Sequence, residues 1–254
     1  MGNSEISAIN PEKVTENLTE WIKERVSEAD KEGGVVGLSG GLDSAVTAAL
    51  LYRAFPQNSL GVVLPCESNS ADREDAYLVA EKIGIAVEEV VLDEIFQKLL
   101  TRLQHIEPGQ DKIAAANIKP RLRMTALYYL AARREALVIG TDNWSELITG
   151  YFTKHGDGGI DIAPLGRLVK TEVRELAHYL GIPEKIINRR PSAGLWKGQT
   201  DEDELGMSYE QIDRYILTGE AEKMVEEKVE KLKTNSRHKI EPPPVPDREK
   251  IMEV

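Results

Sequence analysis

The chain has 254 residues, enough for one sizeable α/β domain, and a net charge of −11 with 30% charged residues, which argues against a broad binder of nucleic-acid backbones. Cys66 is the sole cysteine, so a disulfide framework or a cysteine-rich metal site within one chain is excluded and a reducing, cytoplasmic compartment fits. No apolar run approaches the roughly 20 residues of a membrane span, and Met1-Gly2-Asn3-Ser4-Glu5 lacks both the basic and the apolar region of a signal peptide. The expectation is a soluble protein that touches neither membrane nor nucleic acid.

Asn10-Pro11 opens the first helix, with Asn10 as N-cap and Pro11 at the first helical position. Val14, Leu18, Trp21, Ile22 and Val26 recur at helical spacing, and Gly33-Gly34 ends the segment. Val35-Val36 then reads as a strand that leads into Gly37-Leu38-Ser39-Gly40-Gly41-Leu42-Asp43-Ser44, and an apolar helical segment begins at Ala45. Leu60 to Pro65 reads as a buried strand, and Ser70 caps a helix running to Gly84. Ile85 to Leu92 makes a third strand, and Ile95, Leu99, Leu100 and Leu103 mark another helix. Asp111 to Glu135 is helical with an interruption at Pro120, and Ala136 to Thr141 is the fourth strand. This alternation predicts an α/β fold: a mostly parallel, Rossmann-like sheet with helices on both faces and right-handed crossovers. Ligands of such sheets sit at the carboxyl ends of strands, where the glycine loop and Thr141 both fall.

The second half is less regular. His155-Gly156-Asp157-Gly158-Gly159 is a turn cluster, and Val173, Leu176, Ala177 and Leu180 form a helix stopped by Gly181. Pro191 to Asp203 reads as a mobile loop. Tyr209 to Leu217 and Ala221 to Leu232 read as helices, and Pro242 to Pro246 favours polyproline II in a tail packed on its own domain. One domain is expected over 1–254, with a C-terminal helical segment and tail over about 201–254.

The chemistry starts at the glycine loop. Gly40 and Gly41 permit positive φ and close ligand approach, the first helical N–H groups lie at the positive end of the helix dipole, and Ser39 and Ser44 add hydroxyls. This is a cradle for phosphate or pyrophosphate. It is not a Walker A loop, because no lysine follows, so a cation must arrive from elsewhere in the chain or as a metal. Asp43 is either a carboxylate favoured by the helix dipole or a magnesium ligand, and Glu146 is either an ordinary exposed helix residue or a second such ligand. Lys170, before a helix, is placed to meet the phosphates. His238-Lys239, after the last long helix, reads by itself as a surface pair.

The order Ser-Gly-Gly-Leu-Asp-Ser, Asn117-x-Lys119-x-Arg121-x-Arg123, Gly140-Thr141-Asp142 with Glu146, Gly150-Tyr151-Phe152-Thr153-Lys154-x-Gly-Asp-Gly-Gly-x-Asp161, Pro164-Leu165 with Lys170, Gln199-Thr200-Asp201-Glu202 and His238-Lys239 closely resembles the ammonia-dependent NAD synthetases. These belong to the N-type ATP pyrophosphatases, and the likeness spans about residues 12 to 240. The resemblance implies the N-type ATP pyrophosphatase fold and a ligase that makes NAD from deamido-NAD (nicotinic acid adenine dinucleotide), ATP and ammonia through an acyl adenylate, releasing pyrophosphate and AMP. It implies that Gly37, Leu38, Ser39, Gly40, Gly41, Leu42, Asp43 and Ser44, with Thr141, Lys170 and Ser192, hold ATP. Asp43 and Glu146 would bind Mg2+. Arg121, Lys154, Asp161, His238 and Lys239 would hold deamido-NAD, with Asp161 and Lys170 in catalytic roles. Ser192 stands where many relatives have threonine, and the segment 192–198, which would close over the site, has Gly194 where some members have aspartate. A homodimer with its contact along Asn117 to Tyr129 is also implied. A sulfur-transferring relative is disfavoured by the single cysteine. A non-catalytic nucleotide sensor is disfavoured by the residues retained for a second substrate.

Overall fold

The computed structural model describes residues 9–109, 111–192 and 200–252. The readings of residues 1–5 and of 193–199 therefore lie outside the described residues. Four strands, β1 (Gly33–Leu38), β2 (Ser59–Val63), β3 (Ala86–Glu89) and β4 (Ala136–Ile139), form one all-parallel sheet in the order β3-β2-β1-β4. Gly34 to Leu38 pair with Ser59 to Val63, and Gly33 to Val36 pair with Ala136 to Ile139.

The helices are α1 (Pro11–Glu28), α2 (Leu42–Ala54), α3 (Ser70–Ile83), α4 (Asp93–Ile106), α5 (Lys112–Ala116), α6 (Ile118–Arg133), α7 (Trp144–Thr149), α8 (Lys170–Leu180), α9 (Glu184–Ile187), α10 (Asp201–Leu205), α11 (Tyr209–Thr218), α12 (Lys223–Ile240) and α13 (Arg248–Met252). Asn10 caps α1 by accepting the Lys13 N–H, with Pro11 in its first turn. The cap of α3 is Asn69 rather than Ser70, and Gly84, at φ +85°, ends that helix. Pro120 falls in the first turn of α6, where its missing N–H costs nothing, so the expected long helix divides into α5 and α6.

Strand alternation sends neighbouring residues to opposite faces. Val36, Leu38, Val63 and Ile139 pack with α1, α2, α3 and α8, whereas Val35, Leu60, Val62 and Val138 pack with α4 and α6. Each fully buried aliphatic side chain contributes about 1.5–3 kcal/mol against exposure, so both cores fix the same strand register. A third cluster gathers Leu205, Met207, Tyr209 and Ile212 with Val225 and Val229 of α12.

Three further expectations need correction. The loop expected to run to Asp203 ends earlier, because Thr200 caps α10 by accepting the Asp203 N–H. The helix expected to end at Leu232 continues to Ile240, so His238 and Lys239 lie in its last turn rather than after it. The tail at Pro242 to Pro246 is exposed instead of packed on the domain: its prolines donate no N–H bonds and charged residues flank it.

β1 stands between β2 and β4, so the chain leaves it in one direction and returns on its other side. The carboxyl ends of β1 and β4 therefore flank a topological switch point, and the crevice there is where this architecture binds ligands.

Candidate active site

The crevice is a cavity of about 570 Å³, lined by the glycine loop, by Gly140 to Asp142 after β4, and by Lys170, Ser192 and Lys239. The loop is held by its own hydroxyls. Ser44 Oγ donates to the Gly41 carbonyl at 3.0 Å, and Ser39 Oγ accepts the Gly41 N–H at 3.2 Å. Gly41 is the N-cap of α2 and has no side chain to bond the helix's leading N–H groups, which remain as donors beside the cavity. Gly40 has φ +76°, and a Cβ there would lie 2.4 Å from the Asp72 carbonyl oxygen, so conformation and space both require glycine.

Three charged groups from distant elements meet at the floor. Lys170 Nζ donates to Asp43 Oδ2 at 2.5 Å and to Glu146 Oε1 at 3.3 Å. Asn143 holds both carboxylates. Its Nδ2 donates to Asp43 Oδ1 at 2.9 Å, while its backbone N–H donates to Glu146 Oε2 and its Oδ1 accepts the Glu146 N–H, a capping box on α7. Burial opposes the charge of Lys170, yet Asp43 and Glu146 outweigh it and hold the ammonium above its ordinary range. Burial, offset in part by Lys170 and reinforced by Asp43, pushes the Glu146 carboxyl upward.

Tyr209 closes the floor from α11. Its hydroxyl reaches Asp201 Oδ2 at 3.2 Å and Glu146 Oε1 at 3.4 Å, and Lys170 Nζ lies 5.0 Å from its ring centroid. Behind Lys170, Ser145 Oγ accepts the Lys170 N–H at 3.2 Å and donates to Asp213 Oδ1 at 2.6 Å, and Asp213 Oδ2 accepts the Thr171 N–H. The start of α8 is thereby tied to α7 and α11. Motif reading gave no role to Asn143, Tyr209, Ser145 or Asp213, and named Asp201 only as part of the Gln199 to Glu202 motif. Asn143 carried a further local signal, an N-cap residue three positions before a glutamate.

The second group of expected residues gathers beside the cavity, although of Arg121, Lys154, His238 and Lys239 only Lys239 lines it. Arg121 Nε donates to the Lys154 carbonyl at 3.3 Å, and Lys154 Nζ donates to the His238 carbonyl at 2.5 Å. Lys239 Nζ donates to the carbonyls of Gly150 and Phe152 at 2.7 and 2.9 Å, and burial pulls its pKa below the ordinary lysine value. Arg121, Lys154, His238 and Lys239 thus come together although they span α6, the turn after α7 and the end of α12. Asp161 stands apart from them and outside the cavity lining: it is exposed, its Oδ1 accepts from the Tyr128 hydroxyl, and its Oδ2 accepts from the Val138 N–H at 2.8 Å. Thr141 and Ser192 both line the cavity.

No group of three or more His, Cys, Asp or Glu side chains among the described residues is arranged to hold a metal ion. Asp43 and Glu146, already drawn together on one cation, match an ion that takes one or two protein carboxylates and completes its shell with phosphate and water.

The family model described as NAD synthase matches residues 14–243. A curated relative, the NH(3)-dependent NAD(+) synthetase of Carboxydothermus hydrogenoformans, is 52% identical over 94% of this chain and 98% of its own length. Among solved structures, the NMN synthetase of Francisella tularensis superposes with a TM-score of 0.89 at 36% identity, over 94% of this chain and all of its own. The NH3-dependent NAD synthetase of Campylobacter jejuni gives a TM-score of 0.78 at 29% identity, with the same coverage of both chains. The glycine loop at the sheet's switch point, the Lys170 cluster and these matches lead to one assignment: the chain belongs to the NAD synthase family.

Proposed function

We propose that this protein is an ammonia-dependent NAD synthetase, a ligase that amidates the nicotinate carboxylate of deamido-NAD at the expense of ATP. The observation that carries the reading is the meeting of Asp43, Glu146 and Lys170 beside the phosphate loop. A carboxylate oxygen of the substrate attacks the α-phosphorus of ATP and pyrophosphate leaves. Ammonia then attacks the acyl carbon, AMP leaves with the former carboxylate oxygen, and one proton is released. Negative charge grows on the phosphates in the first step, where Lys170 and the N–H groups of the loop and of α2 stand ready with little reorganisation. Asp43 and Glu146 would hold Mg2+, which when bound would help neutralise the same charge. The chain supplies no covalent nucleophile, because the substrate's own carboxylate takes that part.

Gly37 to Ser44, Thr141, Lys170 and Ser192 contact ATP, and Arg121, Lys154, His238 and Lys239 receive the dinucleotide. Asp161, held by Tyr128 and β4, is assigned to positioning the pyridine end, with acceptance of the ammonia proton as its catalytic alternative. The protein acts as one catalytic unit in the cytoplasm, as a homodimer. Support for the dimer comes from α4, α5 and α6, which expose Ile95, Leu99, Leu103, Ile106, Ile113 and Tyr129.

The NMN synthetase likeness favours a second reading, in which the acceptor is the nicotinic acid mononucleotide. One assay separates the two. Purified protein with ATP, magnesium and ammonium is offered each acceptor, and the amide product and AMP are measured by chromatography. NAD formed with equimolar AMP, abolished in Asp43→Asn, is the expected result. Preference for the mononucleotide would replace the dinucleotide reading, and ADP in place of AMP would remove the mechanism.

A further inference from the structure

The ATP site has two walls that are far apart in sequence, the glycine loop and the segment carrying Ser192, and a single turn of α3 touches both. The Asp72 carbonyl oxygen and Asp75 Cβ face Gly40 so closely that an added Cβ would lie 2.4 and 2.9 Å from them. The carboxylates of the same two residues meet Arg189. Arg189 Nη1 donates to Asp75 Oδ2 at 3.1 Å and Nη2 pairs with Asp72. Lys185 Nζ approaches Asp75 Oδ1 to 2.5 Å, close enough for an ion pair though not aligned as a hydrogen bond. Arg189 lies three residues before Ser192, and the residues from Arg189 to Ser192 all line the cavity.

Asp75 itself does not line the cavity, and its side chain is 4% exposed. A carboxylate so deep is expensive unless charged partners meet it, and here two basic groups do. An arginine fork that spans two carboxylates fixes orientation as well as distance, which a lysine cannot reproduce. We propose that Asp75 is a positioning residue: acting through Arg189, it sets the Ser192 segment at the spacing from the glycine loop that ATP requires. The paired acids and bases also leave this wall close to neutral, so Arg189 is held by protein rather than free to wander over the phosphates. The assignment rests on the reading that ATP occupies the glycine loop.

The test is ATP affinity in the free enzyme, measured by equilibrium dialysis, with the Michaelis constants of both substrates and the melting temperature taken alongside. Asp75→Asn keeps shape and removes charge. Arg189→Lys keeps charge and removes the fork, and because Arg189 is one-third exposed (32%) it tests the same link without disturbing a buried group. Each variant is expected to weaken ATP about tenfold while the KM for the dinucleotide stays within about twofold. The double variant should be no weaker than the worse single one, as for residues acting as one unit. Unchanged ATP affinity in both single variants would overturn the proposal. Parallel losses in ATP affinity, dinucleotide KM and melting temperature would do so too, since they mark general damage. Wild-type protein that binds no ATP would instead remove the nucleotide reading, and the proposal would fall with it.

Discussion

A lysine at the first position of a helix faces the positive end of the dipole, and Lys170 is also buried, so two terms oppose its charge. Asp43 and Glu146 offset both, which fits the proposed ATP site better than a device for stability, since buried ion pairs add little stability. Tyr209 serves the cluster twice, with its ring under the ammonium and its hydroxyl toward Glu146 and Asp201. Tyr209→Phe keeps the ring and loses the hydroxyl. Thermal unfolding should show a loss of only about 0.5–1.5 kcal/mol, whereas kcat should fall about tenfold, equivalent to roughly 1.4 kcal/mol of transition-state stabilisation. Tyr209→Ala should cost about 3–5 kcal/mol in stability as well, because it empties a core position. A Phe variant with wild-type kcat would show that the hydroxyl only fills space. Asp43, Glu146 and Lys170 were legible in the sequence as parts of motifs, despite the 127 positions between Asp43 and Lys170. Tyr209 and Asp213 were not, because in α11 they look like any aromatic or acid of an amphipathic helix, and only tertiary contact reveals their partners.

At the scale of elements, the crossing of α3 behind the glycine loop decides how tightly that loop is built. Gly40→Ala would force a side chain into a left-handed backbone and against the Asp72 carbonyl. The expected cost is at least about 2 kcal/mol, seen as a melting temperature lower by about 4–8 °C for a domain of this size, together with loss of ATP binding. A stable variant that still bound ATP would mean that α3 yields, and that the loop is less constrained than its contacts imply. The strands and most helices could be read from periodicity because burial on two sheet faces dictates it. The end of α12 could not. Its apolar stripe runs out at Leu232, yet the helix continues because Ser236 packs against Gly150, at φ +65°, and Lys239 bonds the Gly150 and Phe152 carbonyls. That extension is what delivers Lys239 to the cavity. A contact between a helix end and a turn almost ninety residues away leaves no local mark in either segment.

At the scale of the molecule, the parallel sheet gives each of its helical layers a different task. The α1, α2, α3 and α8 layer builds one core and carries the glycine loop and Lys170, whereas α4 and α6 bury the other face of the sheet but leave apolar side chains of their own exposed. In α4 the spacing that marks a helix in the sequence does not mark a buried one: Phe96 is buried, while Ile95, Leu99 and Leu103 face outward with Ile106. Four apolar residues on one exposed helix, beside Tyr129 of α6, form a surface that a second copy of the chain would cover. If the proposed homodimer closes over this face, Leu99→Asp with Leu103→Asp should convert it to a monomer in light scattering while leaving the far-ultraviolet circular dichroism unchanged, since neither side chain contributes to a core. Charges placed in a closed apolar contact cannot be solvated without separating the subunits. The activity of that variant then says what the proposed subunit contact is for. Arg121 belongs to α6, as Tyr129 does, and donates to the Lys154 backbone carbonyl beside the proposed dinucleotide residues. A monomer with normal ATP affinity and a raised dinucleotide KM would mean that the subunit contact shapes the proposed dinucleotide site, and a monomer with both constants unchanged would confine the contact to assembly. Equal masses for wild type and variant would show that this face is not the interface, leaving α4 as an apolar surface with another occupant.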